Sequence, residues 1–336
     1  MSERNLNPHL SDSEKSTHQR VVVTGAGGFI GHHLSRYLRN QGYWVRGVDI
    51  LRPEFSPMSD FDEFALLDLR NSKNADQAVE GMDRVFALAA LNGSIEYTTN
   101  NRAEIMADNS LININTATAS VRQGVDRLFY SSSACVYPID LQGEDGKPLR
   151  EGDAFLGAPD THYGVEKLAS EWMYKAHELD HGLQVRIARF FNIYGPECVI
   201  DTLRSKAPMA LTRKVIAAED GGEVKIWGDG GQVRSFCYVD DCVRAISMLM
   251  DSDIHEPVNI GTDNHLSIND LVDIIARIEN KQIIKVHQSD KIEGVRNRLC
   301  DYTRASELLG WRPEVTPVQG MTVINRFVRQ QLGLAS

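Results

Sequence analysis

The sequence lacks any apolar run approaching the roughly 18 residues that cross a bilayer. Its first stretch, MSERNLNPHLSDSEKSTHQR, has no apolar core to act as a secretory signal. No membrane segment is therefore expected, and residues 1–19 read as a flexible tail. A long basic run is missing too. With 36 Lys and Arg against 46 Asp and Glu, the formal charge of −10 repels a nucleic-acid backbone overall, so any anion site must be a local cluster. Cysteine is scarce: Cys135, Cys198, Cys237, Cys242 and Cys300 are odd in number and form no C-x-x-C pair. That excludes a disulfide frame or a cysteine-based zinc site and suits a reducing cytoplasm. None of the ten histidines sits in an H-E-x-x-H or similar spacing, so no metal site is expected.

What is present is an ordinary globular composition, 42% hydrophobic and 24% charged over 336 residues. That length holds one α/β unit with an attached lobe. From Val21 to about Phe191, short β-branched runs alternate with segments of helical period. The runs RVVVTG, WVRGVDI, FALLDL, RVFALAA, RLFYSSS and LQVRIARF read as strands. Residues 30–38, 102–123 and 162–180 read as helices. The alternation predicts a doubly wound parallel sheet covered on both faces. After Pro196 the rhythm breaks into shorter units, which predicts a second, smaller lobe over 196–234 and 251–330. The run SFCYVDDCVRAISMLM, near 235–250, reads as a strand and helix returning to the first domain, 20–195.

In VVVTGAGGFIGHHL, Gly25, Gly28 and Gly31 follow a strand and open a helix. Missing side chains there permit a sharp bend and let the backbone approach a pyrophosphate seated on the helix N-terminus. The spacing alone also fits a plain glycine turn. Asp49 ends the next strand, where a carboxylate can bind an adenosine ribose and repels a 2′-phosphate, favouring NAD over NADP. Arg46 and Arg52 lie near it in sequence and leave NADP open. Asp68 and Ala89 end the third and fourth strands as adenine and ribose neighbours, or as strand punctuation.

The helix beginning near 161 carries Tyr163 and Lys167 four residues apart on one face. An ammonium beside a phenol stabilises the phenolate, so the tyrosine could take a proton from a sugar hydroxyl. An ordinary surface i, i+4 pair has the same spacing. Ser133 and Cys135 lie at a strand's carboxyl end, where ligands bind in such sheets, although a cysteine there also serves as a small buried hydrophobe.

The motifs TGAGGFIG, SSSACVY, YGVEK, RFFNIYGP, GGQVRSFCYVDD and VNIGT, in this order and covering 20–330, resemble the extended short-chain dehydrogenase/reductases that act on nucleotide sugars. The resemblance implies a Rossmann-type NAD domain with a C-terminal substrate lobe and a redox triad of Ser133, Tyr163 and Lys167. It places Phe29, Ile30, Leu88 and Ala89 at the cofactor. Asn192, Lys225 and Arg234 fall to the nucleotide-sugar, and the two long helices to a homodimer interface. Cys135 in SSAC and Lys206 in LRSKAPMAL bring the chain closest to the GDP-mannose 3,5-epimerases, which use these positions as base and acid on opposite faces of the ring. Lys206 would otherwise read as a solvated charge. EGVRNR matches as well, making Arg296 a phosphate ligand with Arg298 close by. The implied partner is a GDP-linked sugar. Two departures concern the sugar: LNGSIEY puts Asn92, Gly93 and Ser94 where the plant-type enzymes carry other groups, and Phe191 replaces a histidine. A 4-epimerase, or an epimerase of another GDP- or UDP-linked sugar, is the alternative. A dehydratase or decarboxylase lacks its acid beside Ser133, and a non-catalytic NAD sensor would not need the whole triad.

Overall fold

The computed structural model describes residues 19–200, 205–290 and 294–335. Nearly all of the expected tail, residues 1–18, lies outside them. The strands are β1 Arg20–Thr24, β2 Trp44–Asp49, β3 Glu63–Leu66, β4 Arg84–Ala87, β5 Arg127–Ser133, β6 Gln184–Phe190, β7 Ile193–Tyr194, β8 Glu223–Trp227, β9 Val233–Ser235, β10 Cys237–Tyr238, β11 Val258–Ile260, β12 His265–Ser267, β13 Ile284–Gln288 and β14 Asn297–Arg298. The helices are α1 Phe29–Asn40, α2 Ser72–Val79, α3 Ile95–Asn100, α4 Arg102–Arg122, α5 His162–His181, α6 Ala207–Ala217, α7 Val239–Asp251, α8 Ile268–Ile278, α9 Thr303–Leu309 and α10 Pro317–Gln331. No described helix is long and apolar enough to cross a membrane.

A seven-stranded sheet in the order β11-β6-β5-β4-β1-β2-β3 forms the centre. Every neighbouring pair in it is parallel. Parallel strands need both faces covered, which is why β1 is a continuous Val21-Val22-Val23 run rather than an alternating one. Side chains alternate across it: Val21 and Val23 join the core beneath α1 and α7, and Val22 joins the core beneath α2, α4 and α5. All six strands read from the sequence are present. The seventh, β11, lies within the range expected for the lobe but pairs with β6. At three residues it carries too little pattern to be recognised as a core strand.

Local chemistry sets the helix ends. Thr161 caps α5 by accepting from Gly164 N, and Gly182, at φ 74°, ends it in the left-handed region that glycine occupies freely. Capping boxes start α8 (Ser267 with Asp270) and α10 (Thr316 with Gln319, followed by Pro317). In the C-terminal part, α6, α8 and α10 pack together, joined by the β8–β13 pair and the β12-β9-β14 sheet. After β10, α7 packs against α1, β5 and β6.

Candidate active site

The chain runs β1, β2, β3 toward one edge and then returns to place β4 on the other side of β1. Such a reversal leaves a crevice at the strands' carboxyl ends. Gly25 stands in it at φ 73°, and a Cβ on it would lie 2.8 Å from Ala89 N. A Cβ on Gly31 would fall 2.0 Å from Gly25 O, so both glycines are required by contact as well as by the turn. Gly28 is the N-cap of α1 and brings no side chain to the helix end, whose first turn has no acidic residue. The amides of Phe29, Ile30 and Gly31 in this first turn have no intrahelical acceptor and can receive an anion.

Asp49 closes β2 beside the turn. Its carboxylate accepts from Gly27 N at 2.9 Å and Ile50 N at 2.7 Å, and burial pushes its pKa up against these bonds. Arg46 is committed elsewhere, to the carbonyls of Ala78 and Glu80 and the Glu63 carboxylate. Arg52 contacts Met58. Among the described residues no guanidinium thus waits beside Asp49 for a 2′-phosphate, and the donor set fits NAD. Asp68 is paired with Arg70, whose hydrogen bonds hold its carboxyl below the usual range. Leu88 N and Ala89 N both donate to Thr24 Oγ1 at 3.2 Å, fixing the β4 end against β1.

At the end of β5 and the start of α5 the sequence motifs meet. Tyr163 accepts from Asn92 Nδ2 at 3.3 Å and is hydrogen-bonded to Ser133. Burial pushes its phenol well above the ordinary range, and the Ser133 bond pulls the other way. Lys167 Nζ lies 5.6 Å from the Tyr163 ring centroid, donates to Ser131 O at 3.1 Å, and has its pKa lowered by burial.

Cys135 occupies a short 3-10 turn directly after β5. A Cβ on Gly164 would lie 2.0 Å from Cys135 O, so α5 starts in contact with this turn. The Cys135 sulfur accepts from Arg298 Nη1 at 3.2 Å, and Arg298 also bonds Gln142 and Asp160. It is close enough to contribute electrostatically at Tyr163, Lys167, Lys206, Arg234 and Arg298 together. Lys206 precedes α6, and although the residue is open to solvent, protein crowding around its ammonium lowers its pKa. It lines a cavity of about 120 Å³ with Phe29, Tyr194, Cys198 and Met209.

Arg234 donates to the carbonyls of Val233, Val295 and Arg296. Burial, and then repulsion from Arg298, bring it down to about 9. Among the described residues it has no carboxylate partner. Arg296 is instead paired with Asp229 at 2.7 Å and with Glu144. Asn192 sits at φ 40° beside Cys237. Ser94 caps α3 by accepting from Tyr97 N, and Gly93 packs on the Tyr97 ring, so only Asn92 of that trio reaches Tyr163. Lys225 stands exposed on β8, and its backbone carbonyl accepts from Lys214.

Two further groups shape the site without a sequence signal of their own. Asn109 on α4 grips Leu91 through both N and O and also donates to the buried Glu166 of α5. Asp160 neutralises Arg298. Each makes its contact across elements far apart in the chain.

The profile of the NAD dependent epimerase/dehydratase family matches residues 21–261. A GDP-mannose 3,5-epimerase 1 of Oryza sativa subsp. japonica is 40% identical over 314 residues, 93% of this chain and 82% of that protein. The structure of UDP-glucose 4-epimerase from Thermotoga maritima with UDP-glucose superposes with a TM-score of 0.84 at 27% identity, covering 94% of this chain and 100% of that one. UDP-glucuronic acid 4-epimerase from Bacillus cereus, in complex with UDP-glucuronic acid and NAD, gives 0.80 at 26%, covering 93% and 100%. With the glycine turn at a sheet reversal and the Ser-Tyr-Lys grouping at the next strand ends, the chain belongs to the NAD dependent epimerase/dehydratase family.

Proposed function

We propose that the protein is a nucleotide-sugar epimerase of the GDP-mannose 3,5-epimerase type. The observation that carries this reading is the place of Cys135, beside the Tyr163–Ser133 pair and within electrostatic reach of Lys206. A 4-epimerase needs no second acid–base pair, and the 40% identity to the rice enzyme agrees with the first assignment.

When bound, NAD would supply the hydride acceptor and donor for C4 of the sugar. The amides opening α1 would hold its pyrophosphate, and Asp49 its ribose. Tyr163 would take the O4 proton, with the Lys167 ammonium 5.6 Å from its ring favouring the phenolate. Ser133 donates to the carbonyl oxygen formed at C4, which acidifies the hydrogens at C3 and C5. Cys135 removes a proton from one face, its negative charge lying against the Arg298 guanidinium. Lys206, made less basic by its surroundings, returns one from the other face. Arg234 pairs with the diphosphate, Asn192 lies at the nucleotide side, and Asn92 sets the hydrogen bonding at Tyr163.

Incubation of GDP-mannose with the NAD-loaded enzyme in D2O tests this. Deuterium at C3 or C5 with inverted configuration is the expected result. Inversion at C4 without solvent label identifies a 4-epimerase instead and overturns the assignment.

A homodimer through α4 and α5 completes the reading. Leu111 and Ile114 on α4, and Val165, Trp172 and Leu179 on α5, are exposed, a large apolar face for an unpaired helix pair. Trp172→Asp should convert a dimer to monomer in analytical ultracentrifugation; a native monomer would overturn the proposal. The cytoplasm is proposed as the site of action because all five cysteines are free.

A further inference from the structure

Away from Cys135 and Tyr163, two adjacent histidines of α1 meet a glutamate from the loop after β7. Glu197 Oε2 lies 3.2 Å from His32 Nε2 and 3.7 Å from His33 Nε2. The three ligand atoms fall within 4.8 Å of one another. His32 is 2% exposed and His33 8%.

His32 Nδ1 is 2.9 Å from Gly28 O. A carbonyl only accepts, so Nδ1 carries the proton and the neutral ring presents Nε2 as a bare lone pair. That Nε2 is buried and has no hydrogen-bond partner. A lone pair thus faces a carboxylate oxygen across 3.2 Å with nothing donated between them, which is unfavourable unless a cation lies there.

The geometry points to a divalent transition-metal site of zinc type, formed by His32, His33 and Glu197 and clipping the loop after β7 to α1. Ligands about 2.0 Å from a tetrahedral zinc stand about 3.3 Å apart, a spacing the two measured separations bracket. Two neutral imidazoles and one carboxylate suit zinc or cobalt rather than calcium or magnesium. The Gly28 carbonyl behind His32 is the outer partner that orients such a ligand. Pro196 O, 3.3 Å from His33 Nε2, marks where solvent or a carbonyl completes the set. Binding moves the His33 proton to Nδ1, with Nε2 bonding the metal. Arg36 competes for the same Glu197 oxygen at 3.0 Å, yet it is about a third exposed and keeps Asp60 through Nε when its Nη1 swings away. Histidine spacing could not reveal this site, because its third ligand lies far along the chain.

Calorimetric titration of the EDTA-stripped full chain with ZnCl2 tests the proposal. One equivalent per chain is expected, with a rise in Tm. His32→Asn, which keeps a donor for Gly28 O, and Glu197→Gln should each lose that equivalent while retaining the native circular dichroism spectrum. Cys198→Ser should keep it. Cobalt(II) should give visible bands without the near-ultraviolet charge transfer of a thiolate ligand, a readout that needs no variant. No zinc uptake, equal uptake by Glu197→Gln, or a thiolate band would overturn the site.

Discussion

Arg298 Nη1 donates to the Cys135 sulfur at 3.2 Å, while its other nitrogens hold Gln142 and Asp160. The sulfur is therefore held by a guanidinium donor before substrate arrives. Arg298→Gln should therefore slow solvent-deuterium incorporation beside C4 by about 10- to 100-fold while leaving transient NADH absorbance detectable at 340 nm. Equal loss of both signals would assign Arg298 to substrate binding alone.

Tyr163 is buried and its phenol lies above the ordinary value, so the base form is the minor one at neutral pH. On the acid side, kcat/KM should rise with pH as the proton leaves. Lys167→Met removes the cation 5.6 Å from the ring, so the acid limb should move to higher pH. Tyr163→Phe should remove that limb and lower kcat by about 10²- to 10⁴-fold. An unmoved limb in Lys167→Met would show that the lysine only positions groups.

Arg234 is a buried cation repelled by Arg298. GDP should raise the Tm of the wild type by offering the missing anion. For Arg234→Gln the increment should shrink and KM should rise about tenfold or more, the loss of one charge-assisted contact. A full increment in the variant would place the diphosphate elsewhere.

The Arg189–Glu171 pair is sealed under β6 and α5, with Nη2 2.7 Å from Oε2. Removing one partner leaves an uncompensated buried charge, so Glu171→Gln or Arg189→Met should cost about 3–5 kcal/mol in urea unfolding. Replacing both should recover part of that. A single variant as stable as wild type would mean water reaches the survivor.

Asn109 ties Leu91 to α4 and Glu166. Asn109→Ala should cost about 1–3 kcal/mol for the unpaired groups. It should also lower kcat by loosening Asn92 beside Tyr163. Stability loss with unchanged kcat would confine Asn109 to a structural part.

The local periodicities alone determined the central sheet, the long helices and the glycine turn. Val21-Val22-Val23 needs cover on both sides, and Gly25 and Gly31 sit where any Cβ would strike backbone. Tyr163 and Lys167 were legible because a helix fixes the relation of residues four apart. The part of Cys135 came from the resemblance of SSSACVY, and the structure seats it in the 3-10 turn beyond β5 rather than on the strand. Tertiary structure decided what depends on distant segments. It paired β11 with β6, seated Arg298 on Cys135, turned Ser94 into a helix cap, tied Arg296 to Asp229, and gathered Glu197 to His32 and His33. The reason is reach: backbone periodicity fixes neighbours within a few residues, whereas these contacts exist only after folding has closed long loops around a shared core.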